Sequence, residues 1–309
     1  MLYLRMALFS AESMRKVEPS VPITLMTSEI PLKAQVLLLK TFTSITVIPK
    51  DMLYPGRQWI TRAEAMRLSP YKITLAVDSD TFACTPFAKD LAKIADDLQI
   101  DIAFGGHEPR HSFPIHPDNG IIVYRNGPRL DKLLDSWTQR MKSMLDANET
   151  DLDDQNPLKS VLLDGKSGVT VGRLATSIAC RLRPAKNTPW TDTAEARRRH
   201  DHTLIISGPV RILHMRDQEL HIDNICQLIN QDKSERIYVW DKSKIPYPNA
   251  QHLSQAFQVA HSQEECDRLL GVECVEFKDW SPQPLITKLG RHLHIPKSQE
   301  YDSPDAEEI

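Results

Sequence analysis

Asp78 and Asp80 stand two residues apart, directly after the apolar run Ile73-Thr74-Leu75-Ala76-Val77. In open sheets, ligands bind beyond the carboxyl ends of the strands, so a strand ending in two carboxylates puts negative charge at a binding position. Such a pair is costly unless a cation offsets it. Hard divalent ions such as Mn²⁺ or Mg²⁺ prefer oxygen ligands and bridge readily to phosphate oxygens. On an extended segment, D-x-D spacing sends both side chains to one side. The same pair can instead cap the helix after Pro86 or close a turn, and the motif alone does not choose between these readings.

Other residues with chemical capacity are less organised. His107, His111 and His116 share a glycine- and proline-rich loop over 105–120. They have no supporting cysteines and no helical i, i+4 pair, so they read as cleft lining rather than as a metal site. Arg197-Arg198-Arg199-His200 reads as a solvated basic face. The cysteines (Cys84, Cys180, Cys226, Cys266, Cys274) are five and scattered, without a C-x-x-C. That pattern predicts reduced thiols in a soluble cytoplasmic protein, with no disulfide frame and no zinc site.

Positioning the acidic pair requires a scaffold, and the chain has material for one. It has 309 residues, 41% of them hydrophobic, and a net charge of −3, which argues against nucleic acid as a partner. No apolar run reaches the ~18 residues of a membrane span. Met1 to Ser10 is apolar but lacks a small-residue cleavage pattern, so no signal peptide is expected. β-rich runs over Val21–Met26, Ile45–Ile48, Ile73–Val77, Ile100–Phe104 and Ile121–Tyr124 alternate with helical stretches over Pro86–Leu98 and Pro128–Leu145. This alternation predicts an α/β fold with a mostly parallel sheet flanked by helices. A C-terminal α/β extension is expected over 218–299, including a strand at Ile237–Trp240 and a last helix near Leu285–Leu293. An acidic tail is expected over 300–309.

The run Tyr71 to Thr81, which contains Asp78-Ser79-Asp80-Thr81, resembles the Y-x-hydrophobic-D-S-D-T signature of the GT-A nucleotide-diphospho-sugar transferases, the DxD-type glycosyltransferases. Further elements of that superfamily follow in order. Asp118-Asn119-Gly120-Ile121-Ile122-Val123-Tyr124-Arg125 resembles its N-[ST]-G-hydrophobic strand. Leu130 to Arg140, with Trp137, resembles the Trp-bearing helix that comes next. Asp153-Asp154-Gln155-Asn156-Pro157-Leu158 resembles the D-Q-x-hydrophobic helix start. Val210 to Arg216 resembles the late strand that ends in a metal-binding histidine. The match spans about residues 12–217. A haloacid-dehalogenase-type phosphatase, whose motif is D-x-D-x-T, fits poorly: Thr81 follows the second aspartate directly, and Phe82 stands where that family needs threonine.

The resemblance implies a GT-A fold over residues 1–217 and a role for each matched residue. Asp80 and His214 would hold the metal, and Asp78 would bind the metal or the ribose, with Ser79 between them. Asn119 and Gly120 would lie near the donor sugar. Asp154 and Gln155 would hydrogen-bond the donor sugar or the acceptor, and would be the catalytic pair. Arg216 would neutralise the leaving diphosphate. Ala179 stands where the family often has asparagine, so a donor contact of the family is not matched there, and Arg181, two residues on, would be a donor-binding residue. The family also begins with a full strand whose following loop holds the nucleotide base. Here only Met1 to Leu4 precedes a helical Met6–Lys16. The implied activity is metal-dependent transfer of a sugar from a nucleoside-diphosphate sugar, UDP-sugar favoured, to an acceptor, with retention favoured. The alternative is a non-catalytic nucleotide-sugar- or carbohydrate-binding relative that acts with a partner.

Overall fold

The apolar runs become strands and the periodic segments become helices. The computed structural model describes residues 2–31, 34–106, 117–147, 154–175, 177–182, 203–206, 209–215, 226–227, 230, 236–240, 257–260 and 286–288. The residues His107, His111 and His116, the basic cluster 197–200, Arg216, the helices expected after Trp240 and the acidic tail lie outside these.

The chain opens with α1 (Leu2–Val17), β1 (Thr24–Thr27), α2 (Gln35–Thr41), β2 (Ser44–Val47) and α3 (Gln58–Ala65). Then come β3 (Ile73–Val77), β4 (Thr81–Ala83), α4 (Ala88–Asp97), β5 (Ile102–Gly106), β6 (Pro117–Arg125), α5 (Pro128–Asp146) and α6 (Gln155–Asp164). Strands β7 (Val171–Leu174), β8 (Cys180–Leu182), β9 (Thr203–Ile206), β10 (Ile212–Met215), β11 (Arg236–Trp240), β12 (Phe257–Ala260) and β13 (Ile286–Lys288) complete the order.

The central sheet has the order β13-β7-β5-β6-β3, and helices cover both its faces, so the fold is α/β. The sheet is mixed. β5 and β7 are parallel, while β6 runs against both β5 and β3, and β13 against β7. Ten residues separate β5 from β6, fewer than the dozen or more that a parallel crossover needs. Parallel pairs also join β1 to β2 and β8 to β10. On one face, Ile102, Phe104, Ile122 and Tyr124 pack with Leu130, Leu133, Leu134, Trp137 and Leu158 of α5 and α6 and with Ile60 of α3. The alternate residues Ala103, Ile121 and Val123 pack on the other face with Phe87, Leu91 and Ala95. Burial on both faces explains why these strands are apolar runs rather than alternating patterns.

β3 and β4 are consecutive but belong to different sheets, because β4 pairs with β10 in the three-stranded order β4-β10-β8. The Asp78–Thr81 segment is therefore the joint between two sheets. α1 supports the far side of that joint. Ser13 Oγ accepts the Ala83 N–H at 3.0 Å, and the buried Glu18 carboxylate accepts the N–H groups of Phe87 and Ala88 at 2.5 and 2.7 Å. Glu18 thus occupies the N-terminus of α4, where orphan donors need an acceptor.

Three expectations are corrected. Leu2 to Leu4 form no strand, since α1 is already helical from Leu2, and its Met6, Ala11 and Met14 are buried. The last helix near Leu285–Leu293 is replaced over Ile286–Lys288 by β13, whose Ile286 is buried and paired with Leu174; a sheet partner overrides the local helical spacing. The cysteines are not all reduced: Cys84 and Cys226 form a disulfide with Cα atoms 5.1 Å apart. Among the described residues, no helix is long and apolar enough to cross a membrane.

Candidate metal centre

Asp78, Ser79, Asp80 and Thr81 form a tight turn. The Thr81 N–H and hydroxyl both donate to the Asp78 carbonyl, at 3.1 and 2.6 Å. The segment is a turn and not extended as the sequence reading assumed, because the chain must leave one sheet and enter another. The Asp78 N–H still donates to the Gly120 carbonyl at 2.8 Å, which ties the turn to the start of β6. Neither aspartate is needed to cap α4, since Glu18 does so.

β10 brings His214 to this turn. Its backbone pairs with Thr81, the residue after Asp80. His214 Nε2 lies 3.3 Å from Asp80 Oδ1 and 3.7 Å from Asp78 Oδ2. One ligand atom from each of the three residues falls within 4.8 Å of the others. The imidazole side chain is 5% exposed and that of Asp80 15%, so the set has a closed floor and an open side. The Cε1–Nδ1 edge of the ring lies over Gly120: a Cβ there would meet Cε1 at 2.1 Å and Nδ1 at 2.3 Å. Glycine is therefore required by close approach of a side chain, not by backbone conformation.

Arg62, on α3, is a site residue that the sequence reading missed. Its Nη1 contacts Asp78 Oδ1 at 2.9 Å, and its Nη2 donates to the Asn119 carbonyl. One guanidinium thus spans the end of β3 and the start of β6, a fork that lysine cannot supply. It holds one oxygen of Asp78 and leaves the other turned toward His214. No local signal marks Arg62, because a single arginine on an amphipathic helix is by default a solvated residue.

The remaining predicted residues are distributed as follows. Asn119 and Gly120 adjoin the cluster. Asn119 is buried, and among the described residues both its amide atoms lack a hydrogen-bond partner, as does His214 Nδ1. Buried polar groups are normally satisfied, so the Asn119 amide fits a site completed by a ligand. Arg181 sits on β8 at the register position opposite His214. Asp154 and Gln155 are on another element, the start of α6. Asp154 holds the cap position without a side-chain cap bond, and its carbonyl accepts the Trp137 indole N–H at 3.0 Å. Toward the other end of β6, the Tyr124 hydroxyl donates to the Met66 carbonyl at 2.9 Å, and burial pushes its pKa up. Burial lowers that of Arg173 on β7.

Two carboxylates and one imidazole suit a divalent cation that accepts both oxygen and nitrogen ligands. Mn²⁺ fits this set better than Mg²⁺, which favours oxygen and water. The residues present therefore fit the metal that the sequence implied.

No family model matches the chain, and no curated relative does. Among solved structures, the chain is similar to the glycosyltransferase GlyE of Streptococcus pneumoniae TIGR4, at 14% identity and a TM-score of 0.40 over 57% of this chain and 43% of that one. It is also similar to galactosyltransferase LgtC solved with donor and acceptor sugar analogs, at 13% identity and a TM-score of 0.44 over 87% of this chain and 96% of that one. The chain thus spans less than half the length of GlyE. At these values neither likeness bears on the chemistry.

Proposed function

We propose that this chain is a metal-dependent glycosyltransferase that takes a nucleoside-diphosphate sugar, with a UDP-sugar as the favoured donor and retention as the favoured outcome. The observation that carries the proposal is the convergence of Asp78, Asp80 and His214 at the mouth of the central sheet. It is supported by the ordered resemblance of the surrounding segments to DxD-type transferases.

A divalent cation bound there would supply positive charge against the diphosphate as it leaves. Asp80 and His214 would hold that cation, and Asp78, whose other oxygen contacts Arg62, would be its third protein ligand. The second arm of Arg62 fixes the start of β6, so that the unsatisfied Asn119 amide is in place to hydrogen-bond a sugar hydroxyl. Asp154 and Gln155, half-buried at the start of α6, orient the sugar or the acceptor. In the reaction, the bond from the anomeric carbon to the diphosphate oxygen breaks, a bond to the acceptor hydroxyl oxygen forms, and the hydroxyl proton is released. The protein's contribution is orientation and charge complementarity.

The test is a panel of nucleotide-sugars assayed for hydrolysis or transfer with Mn²⁺, comparing the unaltered protein with Asp80→Asn. A loss of more than about 100-fold is expected, beyond the range typical for outer-sphere changes. Equal activity in both proteins would overturn the proposal.

A further inference from the structure

The Cys84–Cys226 disulfide lies at the opposite end of the β4–β10 ladder from the acidic cluster. That ladder is only three residues long: Thr81 pairs with His214, Phe82 with Leu213 and Ala83 with Ile212. Asp80 immediately precedes it and Cys84 immediately follows it. Beyond the last pair, the Cys84 N–H donates to the Arg211 carbonyl at 2.8 Å, and the Thr85 hydroxyl donates to the Val210 carbonyl at 3.2 Å. The segment that holds Cys226 also grips the start of β10. The Asn230 side chain accepts the Val210 N–H at 2.8 Å and donates to its carbonyl at 3.1 Å, while the Asn230 N–H donates to the Cys226 carbonyl at 3.1 Å. Cys226 and Asn230 thus form a clamp with one covalent arm at the end of β4 and one hydrogen-bonded arm just before β10.

We propose that the Cys84–Cys226 bridge is a positioning cross-link for the cation site, so that cation affinity depends on whether these two cysteines are joined; the inference rests on the cation reading given above. Burial of Phe82, Ile212 and Leu213 favours one register for this ladder, but only three residue pairs carry it. A slip of one residue moves His214 by about 3.3 Å and turns its ring to the other face, whereas metal–ligand distances tolerate only about 0.2 Å. The bridge adds to the restraint against that slip, because it ties Cys84 to Cys226, whose carbonyl and the Val210 backbone are both held by Asn230. The arrangement is also open to reduction. Cys226 is buried, but Cys84 is only half-buried. A thiolate of a dithiol reductant reaches the Cys84 sulfur and expels Cys226 as a thiolate. The second thiol of the reductant then displaces Cys84. The cysteine pair gains two electrons and two protons, and the reductant leaves as its disulfide.

Mn²⁺ alone is the probe, titrated by calorimetry or by electron paramagnetic resonance into the full chain. Three forms are compared: the oxidised protein, the protein reduced with a dithiol and desalted, and Cys84→Ser/Cys226→Ser. Mapping of alkylated peptides records the state of each cysteine, and circular dichroism with melting in EDTA records the fold. The expected result is a Mn²⁺ affinity about 10- to 100-fold weaker in the reduced and doubly substituted forms, the range for lost outer-sphere support, at a temperature where all three remain folded. If the double variant fails to fold, the reduced protein carries the comparison. Equal affinity in the oxidised and reduced forms overturns the inference, as does finding Cys84 and Cys226 as free thiols in the oxidised protein. Global unfolding on reduction also overturns it, because the bridge would then be a general staple. If the oxidised protein itself binds no Mn²⁺, the cation reading fails with it, and that outcome is distinct from the others.

Discussion

Gly120→Ala tests the geometry of the centre with one methyl group. Gly120 does not adopt a positive φ, so alanine costs nothing there in backbone conformation, and the effect is purely steric. The added Cβ would lie 2.1 Å from His214 Cε1 and 2.3 Å from Nδ1, whereas ordinary contact begins at about 3.4 Å. The ring must therefore retreat by more than ~1 Å or the start of β6 must move. His214 is buried on a strand paired on both edges, so neither adjustment is free, and overpacking of this kind costs about 1–3 kcal/mol. The same displacement exceeds the tolerance of a metal–nitrogen bond several-fold. The assay is paired: thermal unfolding in EDTA for the steric cost, and Mn²⁺ titration for the ligand geometry. A lowered melting temperature with Mn²⁺ affinity reduced at least tenfold is expected. An alanine variant that melts and binds Mn²⁺ like the unaltered protein would show that His214 does not stand over Gly120 as a ligand.

Arg62→Lys keeps a charge beside Asp78 but cannot span Asp78 and the Asn119 carbonyl, and Mn²⁺ binding should weaken about tenfold, as for outer-sphere partners generally; unchanged affinity would reduce Arg62 to a neighbouring charge. Tyr124→Phe removes one of two donors to the Met66 carbonyl, the Ser69 N–H remaining, and should cost about 1 kcal/mol in denaturant unfolding at neutral pH. Burial raises the Tyr124 pKa above its ordinary value of 10.0. Its contribution to stability is therefore complete below pH 10 and is lost as pH climbs through the higher folded value, because the unfolded chain releases the proton first. The phenylalanine variant should show a flatter alkaline stability profile than the unaltered protein. Trp137→Phe removes the indole bond to the Asp154 carbonyl, and a cost of about 1 kcal/mol with a raised KM for the donor is expected if the start of α6 orients the sugar.

The position of the acidic pair is legible because it ends a short apolar strand, and buried strands of continuous apolar character stand out, whereas His214 is legible only through the resemblance of Val210 to Arg216 to the late strand of the DxD-type transferases. The helix around Trp137 could be read for a similar reason: its apolar residues recur at helical spacing, and they are the ones buried in α5. Arg62 could not be read, since what makes it functional is the approach of β3 and β6 to α3, a contact across 57 residues of sequence. The Cys84–Cys226 pair was hidden in the same way by its separation of 142 residues. At β13, three residues of helical-looking sequence yield to pairing with β7. The failures thus share one physical cause, in that the deciding partner lies far away along the chain.

The turn at Asp78–Thr81 has a consequence for how ligand binding is distributed through the molecule. Because β3 belongs to the central sheet and β4 to the smaller one, a cation held by Asp78, Asp80 and His214 fastens two separately hydrogen-bonded units along a seam. Its binding free energy is then shared with the closure of that seam. In amide hydrogen exchange, Thr81–Ala83 and Ile212–His214 should become more protected on adding Mn²⁺, while β5 and β7, which lie deep in one sheet, exchange at unaltered rates. The centre would thereby act as a fastener whose grip is recorded in the slowing of six amides on two strands.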